Sequence, residues 1–442
     1  MLGVSRNTVA EAYDMLIAQD VLQSRPRSGV FVKKLPRGLS YGGYDDTGCC
    51  YEPSLSTPAR LLMSLGVRRP TWPTAPEARY DFGPLVPPID ELSAARFRSC
   101  LNSVLVNDTA RMLDYEEPEG YGPLRRWLAA YMKARGVDCS EDNILIVAGY
   151  QQGVSLLGRS VLDLGETAFV EDPSSPDSVN ALRYCGATVQ GIQMGAAGID
   201  ISVLGEALRS RQPKVVCVTP MWQNPTGAVM SVDTRRGLLD LAERYGFIIA
   251  EDGFTDEFCY SGRLMPPLSA EDKSCRVVYL GSMSRLLFGG LRLGWVVASK
   301  ALIEVLTLMK QASVLCSSPL LQAALHQFCE LGHLDNHIIR TRRLLSNRRN
   351  AMVQAMEAYF PGEVAWNVAE GGLSTWITLP SGTDSDRVAA ECAKDGAIIT
   401  PGRLFSVDGR MLSNFRMSYS LCPEGSIREG VKVVGEVLKR IL

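Results

Sequence analysis

From residue 80 onward, short apolar runs alternate with longer stretches in which apolar positions recur every three or four residues. The runs at 144–148, 167–170, 215–219, 247–251, 277–280 and 294–298 are β-prone and nearly continuous in apolar character. Strands buried on both faces read this way, and helical stretches between them make the sheet largely parallel. After the basic stretch "HIIRTRRLLSNRRNAMVQAM" the pattern changes to the β-like runs "GGLSTWITLP", "GAIITP" and "NFRMSYS", and it closes on "GSIREGVKVVGEVLKRIL". A smaller α+β domain is expected there.

The first residues follow a different rule. Val9, Ala12, Tyr13 and Leu16 recur at helical spacing, with Ser5 or Asn7 placed to cap the helix. Two β-prone runs, at 21–22 and 30–32, then flank "QSRPRSG", whose Pro and Gly predict a turn and whose arginines make its tip basic. A helix followed by a basic wing is a DNA-reading shape. The next segment, "GLSYGGYDDTGCCYEPSLSTP" within it, is rich in Gly, Pro, Ser and Thr and has little periodicity, as a linker does. The expected organisation is an α/β chain with a partial head at 1–36, a linker at 37–78, a large domain at 79–340 and a small terminal domain at 341–442.

Composition narrows the classes. A chain of 442 residues fits two or three domains, and 46% apolar residues suffice for a large core. Its 46 basic and 48 acidic residues nearly balance, so nucleic-acid affinity must come from a local patch. The sequence has no apolar run of about twenty residues, which excludes a membrane-spanning helix. Twelve cysteines without CxxC spacing, apart from the adjacent Cys49 and Cys50, favour a reducing cytoplasm. Of three histidines, His333 and His337 stand at i, i+4, but no third ligand cluster accompanies them, so no metal site is expected.

Candidate chemistry lies in four segments. "GYQQG" at 149–153, with Gln151 and Gln152, is a glycine turn opening a helix, whose free N–H groups receive phosphate well. "QNPTG" at 223–227 sets Asn224 before a tight turn, where its amide can donate to a ring hydroxyl. Asp252 ends an apolar strand in "EDGFTDEF" and suits either a protonated pyridine nitrogen or the capping of a following helix. In "GSMSRLLFGGLRLGW", Ser282, Ser284 and Arg292 offer hydroxyl and guanidinium contacts to a phosphate.

In this order the segments resemble the fold-type I aminotransferases. Together with "LGVSRNTVAEAYDMLIAQDVLQSRPRSGVFV", which resembles the second half of a GntR-type winged helix-turn-helix, the chain resembles the MocR family of transcriptional regulators, of the GabR and PdxR type. The resemblance implies a fold-type I aminotransferase-like large domain, a cytoplasmic homodimer, operator DNA as partner and a small amino-acid or vitamin B6-type effector. It implies that Tyr115 touches the phosphate of pyridoxal phosphate across the dimer interface and that Arg416 binds an amino-acid carboxylate. Ser5, Arg6, Asn7 and Thr8 would begin the recognition helix, with Arg25 and Arg27 on the wing. It also implies that further helices of the head precede Met1, so a truncated head is expected.

Three positions depart from the family. Arg285 stands in place of the Schiff-base lysine, Phe254 in place of a tyrosine that bonds the ring oxygen, and Ser175 in place of the aromatic residue that stacks on the ring. A guanidinium stays charged and is a poor nucleophile and base, so it replaces neither the imine-forming nor the proton-carrying amine. Pyridoxal phosphate, if bound, is expected without a covalent bond. The pocket could equally take another anionic ligand with Arg285 as an added anchor, or nothing. The leading expectation is a regulator that senses pyridoxal phosphate or an amino acid, with catalysis lost. A pyridoxal-phosphate-dependent aminotransferase-like enzyme and a pseudoenzyme partner are the alternatives.

Overall fold

The structure is a computed structural model and describes residues 6–18, 22–25, 29–32, 55–64, 78–253, 256–261 and 264–442. It divides into two compact units, residues 1–55 and 56–442. In the first, a helix covers Arg6–Ala18, and an antiparallel hairpin pairs Leu22–Arg25 with Gly29–Val32. The helix and wing expected from the pattern are both formed. Val9, Tyr13 and Leu16, spaced to share one helix face, are exposed. A stripe in that state adds little stability until something covers it.

The second unit is built on an eight-stranded sheet. Its spatial order is Ile144–Val147, Gly294–Val297, Val277–Ser282, Ile248–Asp252, Val215–Val218, Thr167–Asp172, Thr188–Gly195 and Gly198–Ile199. The strands from Val277–Ser282 to Thr188–Gly195 pair in parallel, and α-helices lead into all of them but Val277–Ser282, whose connection holds the short turn Leu268–Ala270. Gly294–Val297 runs antiparallel to both its neighbours. Four of the sheet's strands, including the edge strand Ile144–Val147, are buried along their whole length, so their apolar residues feed cores on both faces. Capping follows local chemistry. Asp200 accepts from the backbone N–H of Ser202 and Val203, Ser231 from Thr234, and Gly246 closes its helix in the left-handed conformation at φ 79.

Residues nearer the C-terminus form a four-stranded antiparallel sheet, ordered Ala365–Trp366, Ser374–Thr378, Asn414–Ser418 and Thr400–Pro401. Tyr80–Asp81 pairs in parallel with Ala397–Ile398. Strand pairing therefore joins residues expected at the start of the large domain to the terminal segment. The expected boundary at 340 falls inside one continuous helix, His333–Tyr359.

That helix carries the basic run, and four of its arginines find partners within the structure, while Arg343 is exposed. Arg340 pairs with Asp90 at 2.5 Å, Arg342 with Glu257 at 2.9 Å, Arg348 donates to the Ser420 carbonyl, and Arg349 to that of Ala369 at 2.7 Å. His337 is buried, with Nδ1 3.0 Å from Ser93 Oγ and Nε2 3.1 Å from the Leu286 carbonyl. His333 turns away to pack edge-on against Phe328. Among the described residues no helix is long and apolar enough to cross a membrane.

Gly294 marks a close approach of backbone to backbone in the sheet. A Cβ there would lie 2.6 Å from the Gly281 carbonyl oxygen and 2.8 Å from Gly149 Cα, both backbone atoms that cannot swing aside. Gly294→Ala is expected to lower unfolding free energy by about 1–3 kcal/mol through overpacking. A denaturant melt with an unchanged midpoint would contradict this packing.

Candidate functional site

A crevice opens where the parallel strands end, the usual ligand position in such sheets. Asp252 and Ser282 are the last residues of their strands, Asn224 follows Val215–Val218, and Gly149 leads from Ile144–Val147 into the helix Tyr150–Val161. A cavity of about 380 Å³ lies there, and Ser175, Asn224, Ser284, Arg285, Arg292 and Arg416 all line it. Residues from distant parts of the chain thus share one site.

One end of the cavity is suited to an anion. Gly149 has φ 86, and a Cβ at that position would lie 3.1 Å from an Arg292 guanidinium nitrogen. Glycine therefore lets the guanidinium settle against the turn. Arg292 itself is left-handed at φ 49 and donates to the Ala148 carbonyl at 2.7 Å. Strain of this kind persists where the surroundings fix it, and it clusters at ligand sites. Ser284 Oγ is buried without a hydrogen-bond partner among the described residues, so a ligand oxygen would satisfy it. Gln152 Oε1 accepts from the Ala148 N–H at 2.6 Å and holds the turn, while Gln151 is exposed. Both glutamines, with Arg292, line an adjoining cavity of about 510 Å³.

The opposite end holds a buried guanidinium. Arg416 donates Nη1 to Asn224 Oδ1 at 2.7 Å and Nη2 to the Gly83 carbonyl at 2.8 Å, and it lies 4.9 Å over the Phe405 ring. Burial first, then the nearby charge of Arg285, holds its acidity constant down to about 9, with Asp177 acting the other way. It stays charged at neutral pH. Because Asn224 uses its oxygen on Arg416, its amide nitrogen is left to donate to a ligand.

Arg285 occupies the centre. Its Nη2 meets Asp177 Oδ2 at 2.7 Å and its Nη1 donates to the Leu85 carbonyl at 3.3 Å. Asp177, in the first turn of the helix Pro176–Tyr184, drew no attention in the sequence. The only signal was an acid two residues past the serine at the N-cap position of this helix. Ser175 contributes no ring surface.

Beneath the cavity lie Asp252, Ser282 and two residues the motifs did not single out. Gln223 Oε1 accepts from Thr226 N–H at 3.0 Å, and its Nε2 donates to the Pro173 carbonyl at 2.8 Å and to Glu171 at 3.2 Å, which locks the "QNPTG" turn. Glu171 is fully buried. Burial raises its acidity constant to about 8, against hydrogen bonds from Thr219 and Gln223 and helped by the Asp252 charge. Tyr115 sits apart from the cavity, 80% exposed. Phe254, Ser5 and Arg27 lie outside the described residues, whereas Arg6, Asn7 and Thr8 open the first helix and Arg25 ends the first wing strand.

A mostly parallel sheet with an anion cup and a buried guanidinium at its C-terminal edge defines a protein of the fold-type I aminotransferase class. The chain belongs to the aminotransferase class I and II family, which it matches over residues 91–434, and residues 1–32 match the gntR family of bacterial regulatory proteins. This is the composition of the MocR-type regulators. The HTH-type transcriptional regulator TauR of Rhodobacter capsulatus is 30% identical over 452 residues, 99% of this chain and 90% of its own length. Aromatic-amino-acid aminotransferase 1 of Thermococcus litoralis is 34% identical over 342 residues, 76% of this chain and 82% of its own. The structure of LysN, the α-aminoadipate aminotransferase of Thermus thermophilus, complexed with N-(5'-phosphopyridoxyl)-L-leucine, is 27% identical with a TM-score of 0.80, over 88% of this chain and 99% of that one.

The buried acid under the site has a consequence for pH. Glu171 titrates near 4.5 when unfolded and near 8 when folded, so between these values the native chain keeps a proton that the unfolded chain has released. Stability should fall as pH rises from about 4.5 to about 8, with Glu251, raised to about 7 by burial, adding to the fall. Glu171→Gln should flatten this dependence. Superimposable melting profiles for wild type and variant across that window would show that Glu171 is not its source.

Proposed function

We propose that this chain is a MocR-type transcriptional regulator whose aminotransferase-like fold senses a small ligand and no longer catalyses transamination. The observation that carries this reading is Arg285 at the lysine position, paired with Asp177 at 2.7 Å. A guanidinium so held offers neither a nucleophilic amine nor a base.

The cavity supports pyridoxal phosphate as one ligand, bound without a covalent link. The turn before Tyr150–Val161, with Gln151 and Gln152, would hold its phosphate together with Ser282, Ser284 and Arg292, and with Tyr115 of a second copy in a homodimer. Asn224 and Asp252 would face its ring, and Arg416 an attached or separate carboxylate. When bound, it would supply an electron-poor ring. The orphaned hydroxyl of Ser284 and the glycine cradle at Gly149 favour the phosphate end of this fit. Arg285 disfavours the attachment end. Operator DNA would meet Ser5, Arg6, Asn7 and Thr8 at the helix start and Arg25 and Arg27 on the wing, inside the cytoplasm. Ligand-dependent closure around the cavity would reach the head through residues 37–78.

Gel-shift titration of the full chain against DNA flanking its own gene tests the regulator reading. Binding should be strongest at low salt and weaken in Arg6→Ala and Arg25→Ala, because phosphate contacts carry the affinity. No shift at low salt would sink it. The enzyme reading is favoured by the preserved phosphate end and the aminotransferase relatives. Under the sensor reading, Arg285→Lys should gain borohydride-reducible pyridoxal phosphate at residue 285 and raise transamination by about 100-fold or more. Wild-type turnover that the lysine variant does not exceed would favour the enzyme instead.

A further inference from the structure

We infer that the cavity takes a small dicarboxylic acid, with one carboxylate on Arg416 and the other on Arg285, where it takes the place of Asp177. The inference deepens the sensor reading and rests on it.

Charge balance is the first argument. Three guanidinium groups, those of Arg285, Arg292 and Arg416, line one cavity of about 380 Å³, and among the described residues that line it the acid is Asp177. Such a site favours a ligand with two negative groups. The charge of Arg285 is, after burial, the largest influence on Arg416. An anion bridging the two relieves that repulsion, whereas a cationic centre placed between them would add to it.

The second argument is the asymmetry of the Arg285–Asp177 pair. The Asp177 side chain is 48% exposed and that of Arg285 is 22% exposed, so the carboxylate sits at the mouth and the guanidinium inside. Leu85 holds the other edge of the guanidinium through its carbonyl, so Arg285 can stay in place while Asp177 turns out. Asp177 lies in the first turn of Pro176–Tyr184. The helix N-terminus therefore continues to favour its charge after it leaves Arg285. Breaking a half-exposed pair costs little, and an entering carboxylate takes over the charge-assisted contact that Asp177 makes with Nη2.

Third, Arg416 is oriented in advance by Asn224, Gly83 and the Phe405 ring. A preset guanidinium grips a carboxylate without further ordering cost.

Isothermal titration of the full chain with succinate, glutarate and their monoamides tests the inference. The better-fitting diacid should bind at least about tenfold tighter than its monoamide, and that ratio should collapse in Arg285→Gln. Asp177→Asn, which removes the competing carboxylate, should tighten diacid binding by about tenfold and change monoamide binding less than about twofold. If the diacid and its monoamide bind the wild type alike, or if both variants shift the two probes equally, the inference fails. Arg416→Lys keeps the charge but loses the two-point grip, and it should weaken every probe about tenfold. Weakening by Arg416→Lys without diacid preference would overturn this inference alone. No effect of Arg416→Lys on any probe that binds would overturn the pocket reading itself. Apo melting curves for each variant establish that the differences are in binding.

Discussion

A guanidinium taken fully out of water persists only where oxygen atoms or other charges receive its N–H groups, since an uncompensated buried charge costs several kcal/mol on the order seen for broken buried pairs. Arg416 imposes that condition on three parts of the chain. It projects from Asn414–Ser418, reaches Asn224 at the end of the main sheet, and reaches Gly83 in the segment leading into the fold. Gly83 is presented by a short turn in which its N–H donates to Asp81 Oδ1 at 2.9 Å, just after Tyr80–Asp81 joins Ala397–Ile398. Ser418 N–H and Ser420 Oγ then fasten Phe82 and Pro84. The walls of the cavity are therefore positioned by the same network that satisfies one charge.

A second network fixes the connection carrying Arg285. His337 holds the Leu286 carbonyl, one residue beyond Arg285, and its other ring nitrogen meets Ser93, which shares Asp90 with Arg340. Burial alone would raise Asp90, but its bonds from Ser93 and Arg340 hold it down to about 2. Arg342 and Arg135 clasp Glu257 and Asp256 just past the strand that ends in Asp252. The basic helix is thus internal scaffolding for the site. Arg340, Arg342, Arg348 and Arg349 are spent on neighbours, while Arg343 is exposed.

The sequence pattern revealed the strands it could distinguish by burial. Six of the eight strands of the main sheet are runs with apolar residues facing both sides, and each was visible. Thr188–Gly195 was not, because "TVQGIQMG" mixes polar and apolar residues, and its strand has mostly half-buried or exposed positions. The reversed direction of Gly294–Val297 was equally hidden, since periodicity carries no direction. It follows from the short link after Val277–Ser282, which holds only two short helical turns and no crossover helix. Asn224, Ser284, Arg285, Arg292 and Arg416, which line one cavity, could be singled out in the sequence because each belongs to a recognisable phrase. Asp177, Glu171 and Gln223 escaped because what matters about them is a partner that only the fold supplies. Gln152 had the right location, but its side-chain oxygen serves the turn. Tyr115 is exposed and does not line the cavity.

Arginine in place of lysine is more than a loss. Lysine at the centre of such a pocket can shed its charge, so it can sit near Arg416 without a permanent counterion. Arginine cannot, and two fixed cations facing one small cavity require an anion between or beside them. Asp177 meets that need in the free protein, and a ligand carboxylate can meet it instead. The two arrangements conserve charge, differ in what faces the mouth of the cavity, and are separated by a half-exposed ion pair of small net worth. A ligand can shift an equilibrium only by its differential affinity for the two states. Exchange at Arg285 supplies such a difference, because the acid competes directly with Asp177 and gains the Arg285 contact only when Asp177 leaves. Under the sensor reading proposed above, Arg285 and Asp177 would form the two-state element on which sensing turns.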